Sequence, residues 1–161
     1  MGTVGREMVD MDVEELVELL NRALADEWLA YYQYWIGAQV LEGPLRGEAE
    51  AELLEHAADE LRHAQMLVDR IIQLGGTPLL TPEDWYEWTN CGYEAPTDPS
   101  VRRIVEQNIE GEQCAIRTYR KLVDLTKETD PVTYEMALEI MRDEIEHEDD
   151  LEAILDDMKH T

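Results

Sequence analysis

Asp143-Glu144-Ile145-Glu146-His147 decides how the rest of the chain is read, because Asp59-Glu60-Leu61-Arg62-His63 writes the same DExxH pattern a second time. With 14 Asp, 24 Glu and 4 His in 161 residues, random placement gives roughly 0.05 copies per chain. Two copies inside long helical patterns are therefore not coincidence. Residues i and i+3 share a helix face, so Glu60 with His63, and Glu144 with His147, each aim at one spot. A hard carboxylate oxygen beside a borderline imidazole nitrogen suits iron, manganese or zinc. Di-metal four-helix bundles combine two such Glu-x-x-His helices with one Glu from each of two others.

Working outward, the chain supplies those two helices. Asp12 reads as an N-cap with Glu15 as its capping-box partner. Apolar residues then recur at helical spacing from Leu16 to Tyr34, until Gly43-Pro44 stops the pattern. A second helix spans about 45–74 and ends at Gly75-Gly76. Residues 75–99 carry Pro78, Pro82, Pro96 and Pro99 around Glu83–Trp88, which could form one or two helical turns. A segment this long reads as a crossover along the bundle. A third helix spans about 100–126. Asp130-Pro131 opens the fourth with an N-cap and a Pro at the first helical position, and it runs to about residue 158. The short turns predict antiparallel neighbours. The expected architecture is all-α, with a flexible N-terminal tail over 1–11 and a four-helix bundle over 12–158.

The first and third helices overlay at an offset of 85 residues, Glu27 on Glu112 and Tyr34 on Tyr119, and the second and fourth at 84. The chain is thus a doubled helical hairpin, which sets Glu27, Glu60 and His63 opposite Glu112, Glu144 and His147. Four carboxylates match two divalent ions in charge, whereas four buried and unpaired carboxylates would repel and desolvate at great cost. Glu110 is the serious rival to Glu112, and Glu106 a weaker one, but only Glu112 keeps the Ala and Tyr spacing found around Glu27. Metal-bound His usually donates its other N–H to a carboxylate, and Asp59 and Asp143 are placed to receive it, each from the other helix's His. Tyr34 and Tyr119 are close enough to hydrogen-bond the glutamates, or are ordinary core tyrosines. His56 lies one turn back on the Glu60–His63 face without a counterpart in the fourth helix, and reads as a supporting or surface residue.

The net charge of −25 argues against nucleic-acid binding, which needs a basic patch, and against anionic membranes. Its plain account is a surface adapted to high salt; its functional account is an acidic interior that concentrates cations. No apolar run is long enough to span a membrane. Met1 to Asp12 lacks the pattern of an export signal, so a cytoplasmic protein is expected. Cys91 and Cys114 are too few for a disulfide scaffold, and in the cytoplasm two unconnected reduced thiols are the simple reading.

Over nearly all of 12–158 the sequence resembles the ferritin-like superfamily, with Glu27, DExxH, Glu112 and DExxH matching the bacterioferritin type of di-iron site. The finer resemblance, carried by Glu112-Gln113-Cys114-Ala115-Ile116-Arg117-Thr118-Tyr119 and by Cys91, is to the Dps-like proteins called thioferritins. It implies a ferritin-like four-helix bundle with one long crossover and two iron ions, with manganese or zinc as substitutes. It further implies a twelve-subunit cage that stores iron and protects against oxidative stress. The activity implied is a ferroxidase using hydrogen peroxide or O2, with Cys91 and Cys114 as a redox pair beside the site. A dimanganese catalase, a rubrerythrin-like peroxidase and a non-catalytic metal buffer are the alternatives. Bacterioferritin binds haem through a Met directly after the first motif Glu; here that position is Leu61, so no haem is expected. Only about three residues follow the fourth helix, and the tail carries only Arg6, so neither a larger ferritin cage nor DNA binding is implied.

Overall fold

In the computed structural model, which describes residues 2–160, six helices follow one another. They are α1 (Thr3–Glu7), α2 (Val13–Val40), α3 (Arg46–Gln73), α4 (Glu83–Trp88), α5 (Val101–Thr126) and α6 (Pro131–Met158). The four long ones have 26–28 residues, about 40 Å at 1.5 Å per residue. Among the described residues no helix is long and apolar enough to cross a membrane.

Their ends are set by local chemistry. The Asp12 carboxylate accepts from the Glu14 and Glu15 amides at 2.9 and 3.4 Å. Asp130 accepts from the amides of Val132 and Thr133, both at 3.1 Å, so the N-terminal amides of α2 and α6 have partners. At the end of α3, Gly75 adopts φ 81°, and Gly75 and Gly76 donate back to Ile72 and Ile71, both at 2.9 Å. That is a Schellman stop, which only a residue tolerant of positive φ completes cheaply. α3 begins from Leu45 at φ 62° without a side-chain cap, a start that the sequence does not announce.

Two hairpins, α2–α3 and α5–α6, pack into the bundle. The crossover leaves the lower end, where α2 starts, and returns to the upper end, where Glu42 and Ser100 form an isolated parallel bridge. Polar side chains of α2 hold it on the way. Asn21 bonds the backbone at Thr77 and Leu79 at 3.0 and 2.9 Å. Asp26 accepts from the Thr89 hydroxyl and from the Asn90 and Cys91 amides at 2.5–2.9 Å. Gln33 takes the Glu94 amide at 2.9 Å. Buried polar groups demand partners, and here the partners are the crossover itself.

The tail differs from expectation. Thr3–Glu7 forms a short helix with no buried residue, but Val9 and Met11 pack against the lower core and the Asp10 amide donates to Thr129 at 2.7 Å. Three apolar residues at 9, 11 and 13 give this stretch something to bury.

The core is split. A lower apolar cluster holds Leu16, Leu20, Leu67, Ile71, Leu122 and Ile140. An upper one holds Leu41, Leu53, Val101, Ile104, Leu151 and Ile154. Between them lies a layer of buried polar side chains.

Candidate metal centre

That layer contains Glu27, Glu60, His63, Glu112, Glu144 and His147, none more than 2 % exposed. Each comes from the middle of a long helix, where flanking apolar turns seal both sides. Glu27, Glu60, His63 and Glu144 each present a donor atom within 4.8 Å of the others, and so do Glu60, Glu112, Glu144 and His147. Glu60 and Glu144 belong to both groups. His63 Nδ1 lies 3.5, 3.4 and 3.4 Å from oxygens of Glu27, Glu60 and Glu144. His147 Nδ1 lies 3.3, 3.4 and 3.4 Å from Glu112, Glu60 and Glu144. The two halves of the doubled hairpin thus meet face to face.

Around them the hydrogen bonds cross between halves. His63 Nε2 pairs with Asp143 and His147 Nε2 with Asp59, both at 2.8 Å, which turns each Nδ1 inward. The Tyr34 hydroxyl donates to Glu112, and that of Tyr119 to Glu27, both at 2.6 Å. Each tyrosine serves the glutamate of the other hairpin rather than the one on its own helix. Arg62 adds an ion pair to Asp143 at 2.5 Å, while its distance to Asp59 is 3.9 Å, so the symmetry is imperfect.

The rivals point elsewhere. Glu106 and Glu110 are turned outward to Arg103 at 3.7 and 3.6 Å. His56 is not on the surface: it is 1 % exposed and its ring stacks on His147 at 4.0 Å between centroids. Cys91 and Cys114 are joined as a disulfide, Cα to Cα 5.8 Å, in place of two separate thiols. The bond ties the crossover to α5 two residues past Glu112. A narrow cavity of about 40 Å³ is lined by Cys91, Gly92 and Asp26 and by Glu27, Glu60 and Glu112, a space for a water-sized particle.

The electrostatics fit cations. Burial, then the charges of Glu27 and Glu112, raises Glu60 well above the usual carboxylate range. Burial, then Glu112, Glu60 and Glu27, does the same to Glu144. Against burial, the nearby carboxylates of Glu27, Glu144 and Asp143 push His63 up to about 9; Glu112, Glu144 and Glu60 raise His147. Burial and then His147 push His56 down to about 4. Burial also raises Asp26, against its bonds from Thr89, Asn90 and Cys91. Glu27 Oε2, Glu60 Oε1, His63 Nδ1, Glu112 Oε2 and both Glu144 oxygens are buried without a hydrogen-bond partner. Unsatisfied buried groups are rare and costly, and a pair of cations would satisfy all of these together.

Three residues of the region escaped the sequence reading: Asn21, Asp26 and Gln33, which carry the crossover past the cavity. The faint signal was polar residues on what an apolar count assigns to the core side of α2.

Comparison with known proteins completes the picture. The model of the ferritin-like domain matches residues 17–161. A protein for DNA protection during starvation from Pyrococcus furiosus is 38% identical over 151 residues, 92% of this chain and 81% of its own length. A bacterioferritin from Desulfovibrio desulfuricans is 31% identical, over 83% of this chain and 70% of its own. Among solved structures, a dodecameric thioferritin, the bacterioferritin-related protein of Bacteroides fragilis, superposes with a TM-score of 0.93 at 43% identity. It covers 94% of this chain and 90% of that one. Dps from Thermosynechococcus elongatus superposes at 0.84 with 18% identity, covering 95% of each, a likeness of fold.

Proposed function

The chain belongs to the ferritin-like family, and on that premise we propose that it is an iron-storing ferroxidase that protects against oxidative stress. The observation that supports this most is the pair of donor groups sharing Glu60 and Glu144, with six of their buried atoms unpartnered. Two Fe(II) ions are the substrate. Each gives up one electron; hydrogen peroxide takes both, together with two protons, and leaves as two waters. Because both electrons go to one oxidant, no hydroxyl radical is released.

The chain's residues have separable tasks. Glu60 and Glu144 hold the ions as a pair, Glu27 with His63 and Glu112 with His147 hold them singly. Asp143 and Asp59 fix the imidazoles with Nδ1 inward, as carboxylates do behind metal-bound His. Tyr119 and Tyr34 hold one oxygen of Glu27 and of Glu112, leaving the other free to ligate. The apolar clusters above and below exclude bulk water. The 38 acidic residues draw cations in and oppose binding to phosphate backbones. The disulfide beside the cavity is read as a redox pair able to accept or return electrons. Similarity to the dodecameric thioferritin supports a cage of twelve copies, about 220 kDa from chains of 18.6 kDa.

The test is anaerobic loading of chelator-stripped protein with two Fe(II) per chain, followed by one equivalent of peroxide while ferric absorbance is recorded. Rapid, complete oxidation is expected, with a loss in Glu60→Gln. Loading without accelerated oxidation would identify a metal buffer instead, and light scattering near the monomer mass would remove the cage.

A further inference from the structure

The doubled hairpin lets one end of the bundle serve as a control for the other. The offset of 84 residues that carries Glu60 onto Glu144 also carries Glu52 onto Met136 and His56 onto Ile140, and it brings Met66 onto Asp150. Met66, Met136 and Ile140 all belong to the lower apolar cluster. At the upper end these three positions have become polar together. A core that needed only packing had an apolar solution available, and uses it at the other end.

The three polar residues meet. His56 Nε2 lies 3.2 Å from Glu52 Oε2 and 3.3 Å from Asp150 Oδ2, and the three donor atoms lie within 4.8 Å of one another. His56 is buried and held between the rings of His147 and Tyr34, at 4.0 and 5.2 Å between centroids, so its orientation is fixed. The two carboxylates are half-buried, so an ion can reach them from solvent. One imidazole nitrogen carries at most one proton, and shared between two carboxylates it makes two long, weak bonds in place of one good one. Glu52 also faces the like charges of Asp150, Glu55 and Glu146. A cation bound to Nε2 and both oxygens satisfies all three groups. One nitrogen and two oxygens form the donor set of a borderline divalent ion, with further positions left for water.

We propose that Glu52, His56 and Asp150 form a mononuclear site for a divalent transition-metal ion, distinct from the two-ion centre and stacked against it through the rings of His56 and His147. The site needs binding alone and does not depend on the oxidation chemistry proposed above.

The experiment uses the assembled full-length protein, stripped of metal and loaded anaerobically with Co(II). Ions are counted by calorimetric titration and located by anomalous scattering at the cobalt edge. Three located ions per chain are expected, the third beside His56. His56→Phe, which keeps a ring against His147, and Asp150→Asn, which leaves the buried rings untouched, should each reduce the count to two and weaken third-site binding at least ten-fold. Glu144→Gln should disable the pair and leave the third ion in place. Two ions per chain in the unaltered protein overturns the proposal. So does a third ion that survives either substitution, or one that vanishes with the pair in Glu144→Gln. Failure to oxidise iron with the third ion still present would remove the proposed function and leave this site standing.

Discussion

Replacing Glu144 by Gln should stabilise the metal-free protein and destabilise the metal-loaded one. Glu144 is fully buried with both oxygens unpartnered, and burial with Glu112, Glu60 and Glu27 raises it well above its ordinary value of 4.5. A carboxyl raised on folding keeps its proton where the unfolded chain has lost it. Its unfavourable effect is absent below pH 4.5 and grows as pH rises towards the folded pKa. Gln avoids it, so chelated Glu144→Gln should melt higher than the parent at pH 7, by roughly 2–4 °C for each kcal/mol of repulsion and desolvation relieved. Near pH 4.5 the two should coincide. With saturating Zn(II), which carries no redox chemistry, the order should invert, because Gln is a poor replacement for a carboxylate shared by two ions. Calorimetry of chelated and Zn(II)-loaded protein at both pH values gives the four numbers. A variant that melts lower than the parent in chelator at pH 7 refutes the reasoning.

Further outcomes follow from other contacts. Asp59→Asn should weaken metal binding at the His147 position by about 10–100-fold, read by competition with a chromophoric chelator. Asp143→Asn should do the same at His63 and also release Arg62. Against burial, hydrogen bonds from Thr133 and Arg70 hold Asp130 below the usual carboxylate range. Its contribution is therefore full above the unfolded value near 3.8 and lost as pH falls through the lower folded value. Asp130→Ala, which strands the buried Arg70, should cost about 3 kcal/mol at neutral pH and progressively less in acid, by urea denaturation. Gly76→Ala would set a Cβ 2.6 and 2.8 Å from the Val17 methyls and should cost about 1–3 kcal/mol in the same assay. Reduction of Cys91–Cys114, which closes a loop of 23 residues, should lower stability by about 3 kcal/mol, seen as a lower melting temperature in a dithiol reductant.

The sequence made the centre legible because its six residues obey two periodicities at once, the helical repeat and the 84-residue doubling. Glu112 could be chosen over Glu110 from that register alone, and the crossing of Asp59 and Asp143 to opposite imidazoles follows from the same symmetry. What breaks the symmetry was hidden. His56 has no counterpart, so nothing in the pattern distinguished a surface residue from one stacked under His147. Asn21, Asp26 and Gln33 looked like interruptions of an apolar stripe, since hydropathy carries no information on which backbone amides lie opposite. The pairing of Cys91 with Cys114 was reachable only through the family resemblance, because spacing alone does not give the distance between two cysteines when it depends on where a proline-rich strap lies. Val9 and Met11 read as tail because isolated apolar residues between polar ones show no period.

The pegs along the crossover bear on how copies of this chain stay separate during folding. Two hairpins of nearly equal build can each accept the other's partner from a neighbouring molecule, which is the usual route to swapped, entangled assemblies. Asn21, Asp26 and Gln33 sit on α2 alone, for the corresponding positions of α5 are Glu106, Gly111 and Thr118. The first hairpin therefore holds the strap at three points that the second has no side chains to copy, and the Cys91–Cys114 bond to α5 ties the strap covalently to the second. Polar side chains that hold the strap and no ion act as an address label, telling each second hairpin where home is.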